Sequence, residues 1–142
     1  MYTCSKTYSD IPFAHRQFRH FGHCNLIHGH NWSFTFTFGC TELDENEFVV
    51  DFGALEFLKN WLEEQFDHAF VYGIDDVASK QMLTEFPDLF KAIEIEAPST
   101  EGVARYVFKQ SKPMIQDAFG ERVSLISVSV SEDSKNSAEY RP

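Results

Sequence analysis

Long apolar runs are missing from this chain. No stretch approaches the roughly 18 residues that cross a bilayer, so no membrane role is expected. Cysteine is scarce and odd in number, with only Cys4, Cys24 and Cys40, scattered along the first third. That excludes a disulfide scaffold and fits a reducing, cytoplasmic setting. No basic-then-apolar signal opens the chain, which agrees with that expectation. Positive charge is also short: 12 Lys and Arg stand against 22 Asp and Glu, a net charge of -10. A balance of that sign argues against non-specific nucleic-acid binding. There is no internal repeat, low-complexity tract or linker, so residues 1–142 read as a single domain. With 43% hydrophobic residues and 15 Phe, the chain has ample material for a core.

What the chain does hold is histidine in one place. Five of its six histidines lie between positions 15 and 30. Residues 1–30 carry Lys6, Arg16 and Arg19 against Asp10 alone. A basic corner on an acidic body suits a small anionic ligand, although an excess of this size also arises by chance.

His28 and His30 are two residues apart, which in a strand turns both rings to one face. His15 joins them if its own strand pairs alongside. Three imidazoles without a fourth protein ligand make an open zinc site, with a position left for water or substrate. The competing reading is a run of surface histidines. His20 and His23 flank Gly22 in a loop, where ring orientation is poorly fixed, and they are set aside. Cys24 is close enough to act as nucleophile or base, and a neighbouring cation favours its thiolate form. Cys4 and Cys40 have no such neighbours.

The periodicity predicts an α+β chain. A first strand runs from about Thr7 to Arg16, with poor alternation. In the second, His30, Trp32, Phe34, Phe36 and Phe38 share one parity, while Asn31, Ser33, Thr35 and Thr37 share the other. Leu43 to Asn46 reads as a turn and Phe48-Val49-Val50 as a third strand. Asp51 caps a helix over 53–65 with Leu55, Leu58, Trp61 and Leu62 on one stripe. Residues 73–97 read as irregular, with 77–85 a candidate helix. Ser99 or Thr100 caps a second long helix, with Glu101 near its positive end and Pro113 ending or bending it. A last strand covers about 122–131, with Ile126, Val128, Val130 and Glu132 on one parity. The expected architecture is a four-stranded antiparallel sheet with two helices on one face.

Two further features bear on chemistry. In Asp67-His68 a carboxylate adjoins an imidazole, the pairing a proton relay needs, though neighbours in a strand point opposite ways. Glu132 ends an apolar strand face. It either leaves the sheet into solvent or accepts two hydrogen bonds from a guanidine-like ligand edge.

Taken in order, Phe13-Ala14-His15-Arg16, Cys24-x-x-x-His28-Gly29-His30, Val50-Asp51-Phe52-Gly53, Asp67-His68, Pro98-Ser99-Thr100-Glu101, Glu132 and Tyr140-Arg141 resemble the 6-pyruvoyltetrahydropterin synthase / 6-carboxytetrahydropterin synthase family. The resemblance covers most of the chain. It implies that His15, His28 and His30 bind Zn2+, that Cys24 is the general base, and that Asp67 and His68 complete a catalytic relay. It implies that Glu132 anchors a pterin through its 2-amino and N3 edge, and that the helix start at Thr100 and Glu101 helps hold it. The implied fold is the tunnelling fold, assembled as trimers or hexamers with sites between subunits. The implied substrate is 7,8-dihydroneopterin triphosphate. Three residues between Cys24 and His28 resemble the carboxy enzyme, which releases triphosphate and acetaldehyde on the route to queuosine. The pyruvoyl reaction, a non-catalytic zinc- and pterin-binding paralogue and a different zinc lyase or hydrolase are the alternatives. The short segment from His15 to Cys24, the Pro12-Phe13 lead-in and the long 73–97 stretch depart from the family pattern.

Overall fold

The computed structural model describes residues 1–142. Its backbone is built on one long antiparallel pair, β1 (Tyr2–His15) with β2 (His28–Cys40). The alternation on β2 decides which face goes in. Trp32, Phe34, Phe36 and Phe38 are fully buried, each contributing about 3 kcal/mol by leaving water. Ser33, Thr35 and Thr37 line the other face, where Thr7 and Thr35 share a hydroxyl hydrogen bond of 2.8 Å.

The weak alternation of β1 has a cause. Its register against β2 shifts between Tyr8 and Ile11, and Asp10 takes a positive φ of 61° there. One extra residue moves the inward set from even to odd positions. Tyr8 points in before the bulge; Ile11, Phe13 and His15 point in after it. The bulge thereby delivers His15 to the buried face.

The Phe48–Val50 segment does not form a strand. Val49 and Val50 are buried, but their stretch is tied down by side chains instead of a ladder. The Arg122 guanidinium donates to the carbonyls of Glu42, Phe48 and Val49, and the Asp44 carboxylate accepts from the Asn46 and Phe48 amides. Asp51 then caps a short 3-10 turn, Phe52–Leu55, that leads into α1 (Glu56–Phe66).

Residues 73–97, expected to be irregular, are ordered. β3 (Ala69–Gly73) pairs parallel to β1, α2 (Val77–Glu85) coincides with the candidate helix, and β4 (Lys91–Ile95) pairs parallel to β3. β3 is buried on both faces and lacks a period-2 signature, while β4 is a short edge strand exposed at Lys91, Ala92 and Glu94, with too few residues to stand out in the sequence. After α3 (Thr100–Phe119), the chain returns as β5 (Ser124–Ser131) and β6 (Ser137–Tyr140), both antiparallel to their neighbours. Pro113 lies inside α3 and does not end it, because the carbonyl it leaves unpaired is at exposed Lys109.

The sheet order is β4-β3-β1-β2-β5-β6. The expected α+β class stands, with six strands instead of four and a third helix. The four antiparallel strands are β1, β2, β5 and β6. Both α1 and α3 bury their apolar stripes on the face that carries the β2 aromatics, giving one cluster of 26 buried residues. A second register shift, between Thr37 and Phe38, falls on β5 and corrects the expected parity there. Leu125, Val128 and Val130 face the core, and Ile126 does not. Glu132 keeps the parity of Val128 and Val130 and so remains on the α3 side.

Candidate active site

The paired ends of β1 and β2 bring three imidazoles together. His15 stands directly opposite His28 in the register, and His30 follows one pleat further along. One ring nitrogen from each lies within 4.8 Å of the others. The Nδ1 atoms of two rings are already engaged: His15 Nδ1 is 2.7 Å from the Pro98 carbonyl and His28 Nδ1 is 2.7 Å from the Leu26 carbonyl. A carbonyl only accepts, so each Nδ1 donates and each neutral ring presents an Nε2 lone pair. Those two Nε2 atoms face each other at 3.1 Å.

Two lone pairs so close repel unless a cation lies between them. The spacing is near the ~3.3 Å edge of a tetrahedron with Zn–N bonds of about 2.0 Å. His30 adds a buried Nε2 with no hydrogen-bond partner. The donor set therefore fits a divalent ion of zinc type, with carbonyls behind two of the rings fixing their tautomers. Burial disfavours the charged form of His15 and pushes its pKa down to about 4, with His28 and His30 adding to the effect; the Pro98 carbonyl and Glu132 oppose it. His15 is therefore a neutral ligand at physiological pH.

Next to the triad stands a carboxylate. Glu132 Oε2 lies 3.7 Å from His30 Nε2 and accepts from the Thr100 hydroxyl at 3.1 Å. Thr100 is held there by the start of α3, where Ser99 Oγ caps the Gly102 amide. The close seating of this turn requires glycine at 102: a Cβ there would lie 1.9 Å from the Ala97 carbonyl oxygen. The same approach aims the neighbouring Pro98 carbonyl at His15.

A cavity of about 830 Å3 opens over these groups, lined by the three histidines, Cys24, Thr100, Glu101 and Glu132 among others. Its far wall is the loop between β1 and β2, which carries Gln17, Phe18, Arg19, His20 and Cys24. Two of its residues were set aside or unremarked in the sequence. His20 lines the cavity, with Nδ1 accepting from the Gly22 amide at 2.8 Å, whereas His23 does not line it. Lys135, from the β5–β6 turn, adds a cation to the rim. Arg16 is anchored by the buried Asp76 carboxylate, which also caps α2. An Asp-Asp pair just before a helical segment was the available signal for that anchor.

Asp67 and His68 are not in this cavity. His68 Nδ1 pairs with Asp67 Oδ1 at 2.7 Å, and its side chain is 84% exposed. It borders a separate hollow formed with Pro12, Ala14, Gly29 and Asn31. His68 also holds a positive φ of 60°, with its amide donating to the Pro12 carbonyl. A non-glycine residue kept in that region by its surroundings marks a position of functional interest.

Fold and site together define an α+β protein with three converging imidazoles, able to hold a metal ion, at one end of its sheet. The chain belongs to the 6-pyruvoyl tetrahydropterin synthase family, whose model it matches over residues 3–142. Among curated relatives, it is 27% identical over 123 residues to a 6-carboxy-5,6,7,8-tetrahydropterin synthase of Aquifex aeolicus, covering 83% of this chain and 75% of that one. It is 26% identical over 107 residues to the protein of the same name in Rickettsia conorii, covering 75% and 78%. The fold is shared with an uncharacterized protein of Wolinella succinogenes, at a TM-score of 0.85 and 20% identity over 99% of this chain and 97% of that one. It is also shared with the 6-pyruvoyl tetrahydropterin synthase of Caenorhabditis elegans, at a TM-score of 0.68 and 23% identity over 99% and 95%.

Proposed function

We propose that this protein is a 6-carboxy-5,6,7,8-tetrahydropterin synthase, a zinc-dependent lyase that converts 7,8-dihydroneopterin triphosphate with loss of triphosphate and acetaldehyde, in queuosine biosynthesis. The observation that carries the reading is the single cavity that joins His15, His28 and His30 to Cys24 on one wall and Glu132 with Thr100 on another. Its volume is in the range of small-molecule sites. The names of the curated relatives support the carboxy activity, as does the spacing from Cys24 to His28.

His15, His28 and His30 hold the metal, which when bound supplies Lewis-acid polarisation of substrate oxygens. Cys24 Sγ takes a proton from the substrate's carbon side chain as general base. The Glu132 carboxylate accepts from the pterin's 2-amino and N3 hydrogens, a paired contact that sets ring orientation. The Thr100 hydroxyl, donating to Oε2, holds that carboxylate in place. Glu101 stands at the start of α3 beside the bound ring. Asp67 orients His68 through Nδ1, leaving Nε2 free to exchange protons.

Since Asp67 and His68 lie outside the cavity of their own chain, they serve the site of a neighbouring subunit. The active form is accordingly a homo-oligomer, a trimer or hexamer of single-domain chains working in the cytoplasm, with no nucleic acid or membrane partner. Incubation of the zinc-loaded protein with 7,8-dihydroneopterin triphosphate, followed by mass spectrometry, tests the reading. 6-Carboxytetrahydropterin with acetaldehyde is the expected outcome. 6-Pyruvoyltetrahydropterin would assign the sister reaction, and no pterin product would make the chain a binding paralogue.

A further inference from the structure

Cys24 sits in a stretch of cavity wall with no strand or long helix to hold it. Between the paired ends of β1 and β2 the only regular structure is a single 3-10 turn, His23–Asn25. A surface segment of this kind moves unless its backbone is tied. Its stem is anchored by Arg16 to Asp76 at 2.9 Å and by Arg19 to Asp75 at 3.2 Å. Neither pair reaches the part that carries the thiol.

That part is closed on itself. The Gln17 amide donates to the Cys24 carbonyl at 2.6 Å, and the His20 amide to the Gln17 carbonyl at 2.9 Å. Across this ring lies Asn25. Its Nδ2 donates to the carbonyls of both Phe18 and His20, each at 3.0 Å. A carboxamide NH2 carries two hydrogens, so one group satisfies both acceptors. Phe18, His20 and Cys24 all line the cavity.

We propose that Asn25 is the positioning residue of Cys24: its carboxamide, bridging the Phe18 and His20 carbonyls, holds the thiol-bearing wall in place over the three imidazoles. The proposal rests on the reading of Cys24 as the proton-transfer group. The tie itself does not depend on that reading.

The test uses the full-length, zinc-loaded protein and two variants. Asn25→Ala removes both donors. Asn25→Asp keeps the shape but sets an ionised acceptor against two carbonyl acceptors. Hydrogen exchange read peptide by peptide should quicken over residues 17–25 and nowhere else. The alkylation rate of Cys24, an exposed thiol, by iodoacetamide should change measurably as its surroundings move, with zinc still at one per chain. Turnover should fall in kcat by about 10²-fold, as expected for a displaced reacting group, with KM far less affected. Unchanged exchange and alkylation in both variants would overturn the proposal. So would loss of zinc or global melting in both, which would make Asn25 a general folding element. Exchange and alkylation need no turnover. Absence of any pterin product from the parent protein would therefore sink the functional reading and leave the positioning result standing.

Discussion

His15 and His28 face each other across β1 and β2 with their Nε2 atoms 3.1 Å apart, each ring pinned from behind by a backbone carbonyl. Two neutral imidazoles so held present lone pair to lone pair, an arrangement that a shared cation turns from repulsive to favourable. Single substitutions of His15, His28 or His30 to Ala should therefore drop zinc content well below one per chain, measured by mass spectrometry of the metal. Zinc at 100 times its dissociation constant should stabilise the parent protein by about 2.7 kcal/mol and leave the variants unmoved. Full zinc retention by the His30→Ala variant would remove His30 from the ligand set.

Cys24 and His68 belong to different hollows of one chain. If one active site takes its thiol from one subunit and its Asp-His pair from the next, two dead variants should complement. Cys24→Ala and His68→Asn are expected to be inactive alone while retaining zinc. Asparagine suits the second because it tolerates the positive φ at position 68. Co-refolded in equal amounts, they should recover about a quarter of the parent activity, the share of interfaces that pair the two intact halves. A mixture that stays inactive would argue for a site within one chain, and full activity of Cys24→Ala would remove it as the base.

Gly102 is a packing requirement of the site. A Cβ there would overlap the Ala97 carbonyl at 1.9 Å, so Gly102→Ala must lift the first turn of α3. The expected cost is about 1–3 kcal/mol of stability. Because that turn carries Thr100 and the Pro98 carbonyl, pterin affinity should weaken too. A melting temperature and a substrate KM equal to the parent's would show that the turn yields without consequence.

Acid should destabilise the metal-free protein through His15. Its folded pKa of about 4 lies below the unfolded value of 6.5, so the folded state resists protonation there. The stability this group contributes is present above pH 6.5 and is lost as pH falls toward and through about 4. Thermal melting of the apoprotein across that window should decline more steeply than that of a His15→Gln variant. Equal slopes would mean that burial of His15 carries no such linkage.

Much of this was legible in the chain because it was written in local pattern. The β2 alternation, the Asp51 cap, the helix at 77–85 and the start at Ser99 are each decided within a few residues, by side-chain period or by an amide that needs an acceptor. The His28-Gly29-His30 spacing likewise set two imidazoles on one face. Illegible were the features that depend on a partner strand. The bulges near Asp10 and Ile126 shift parity in ways that only the register reveals. The segment 48–50 looked like a strand until Arg122, more than seventy residues away, took its carbonyls. β3 hides because a parallel strand covered on both faces carries no alternation, and β4 because so short an edge strand carries too little of it.

By itself, then, the sequence determined the class of fold, the aromatic face and the placing of His28 and His30 on one side of a strand, since each follows from residue type and spacing. Only the tertiary structure decided that His15 points inward, that Pro98 and Leu26 pin the rings, and that Cys24 shares a cavity with Glu132 while His68 does not. Those outcomes hang on contacts between residues far apart in the chain, and their geometry exists only once β1, β2 and α3 have packed.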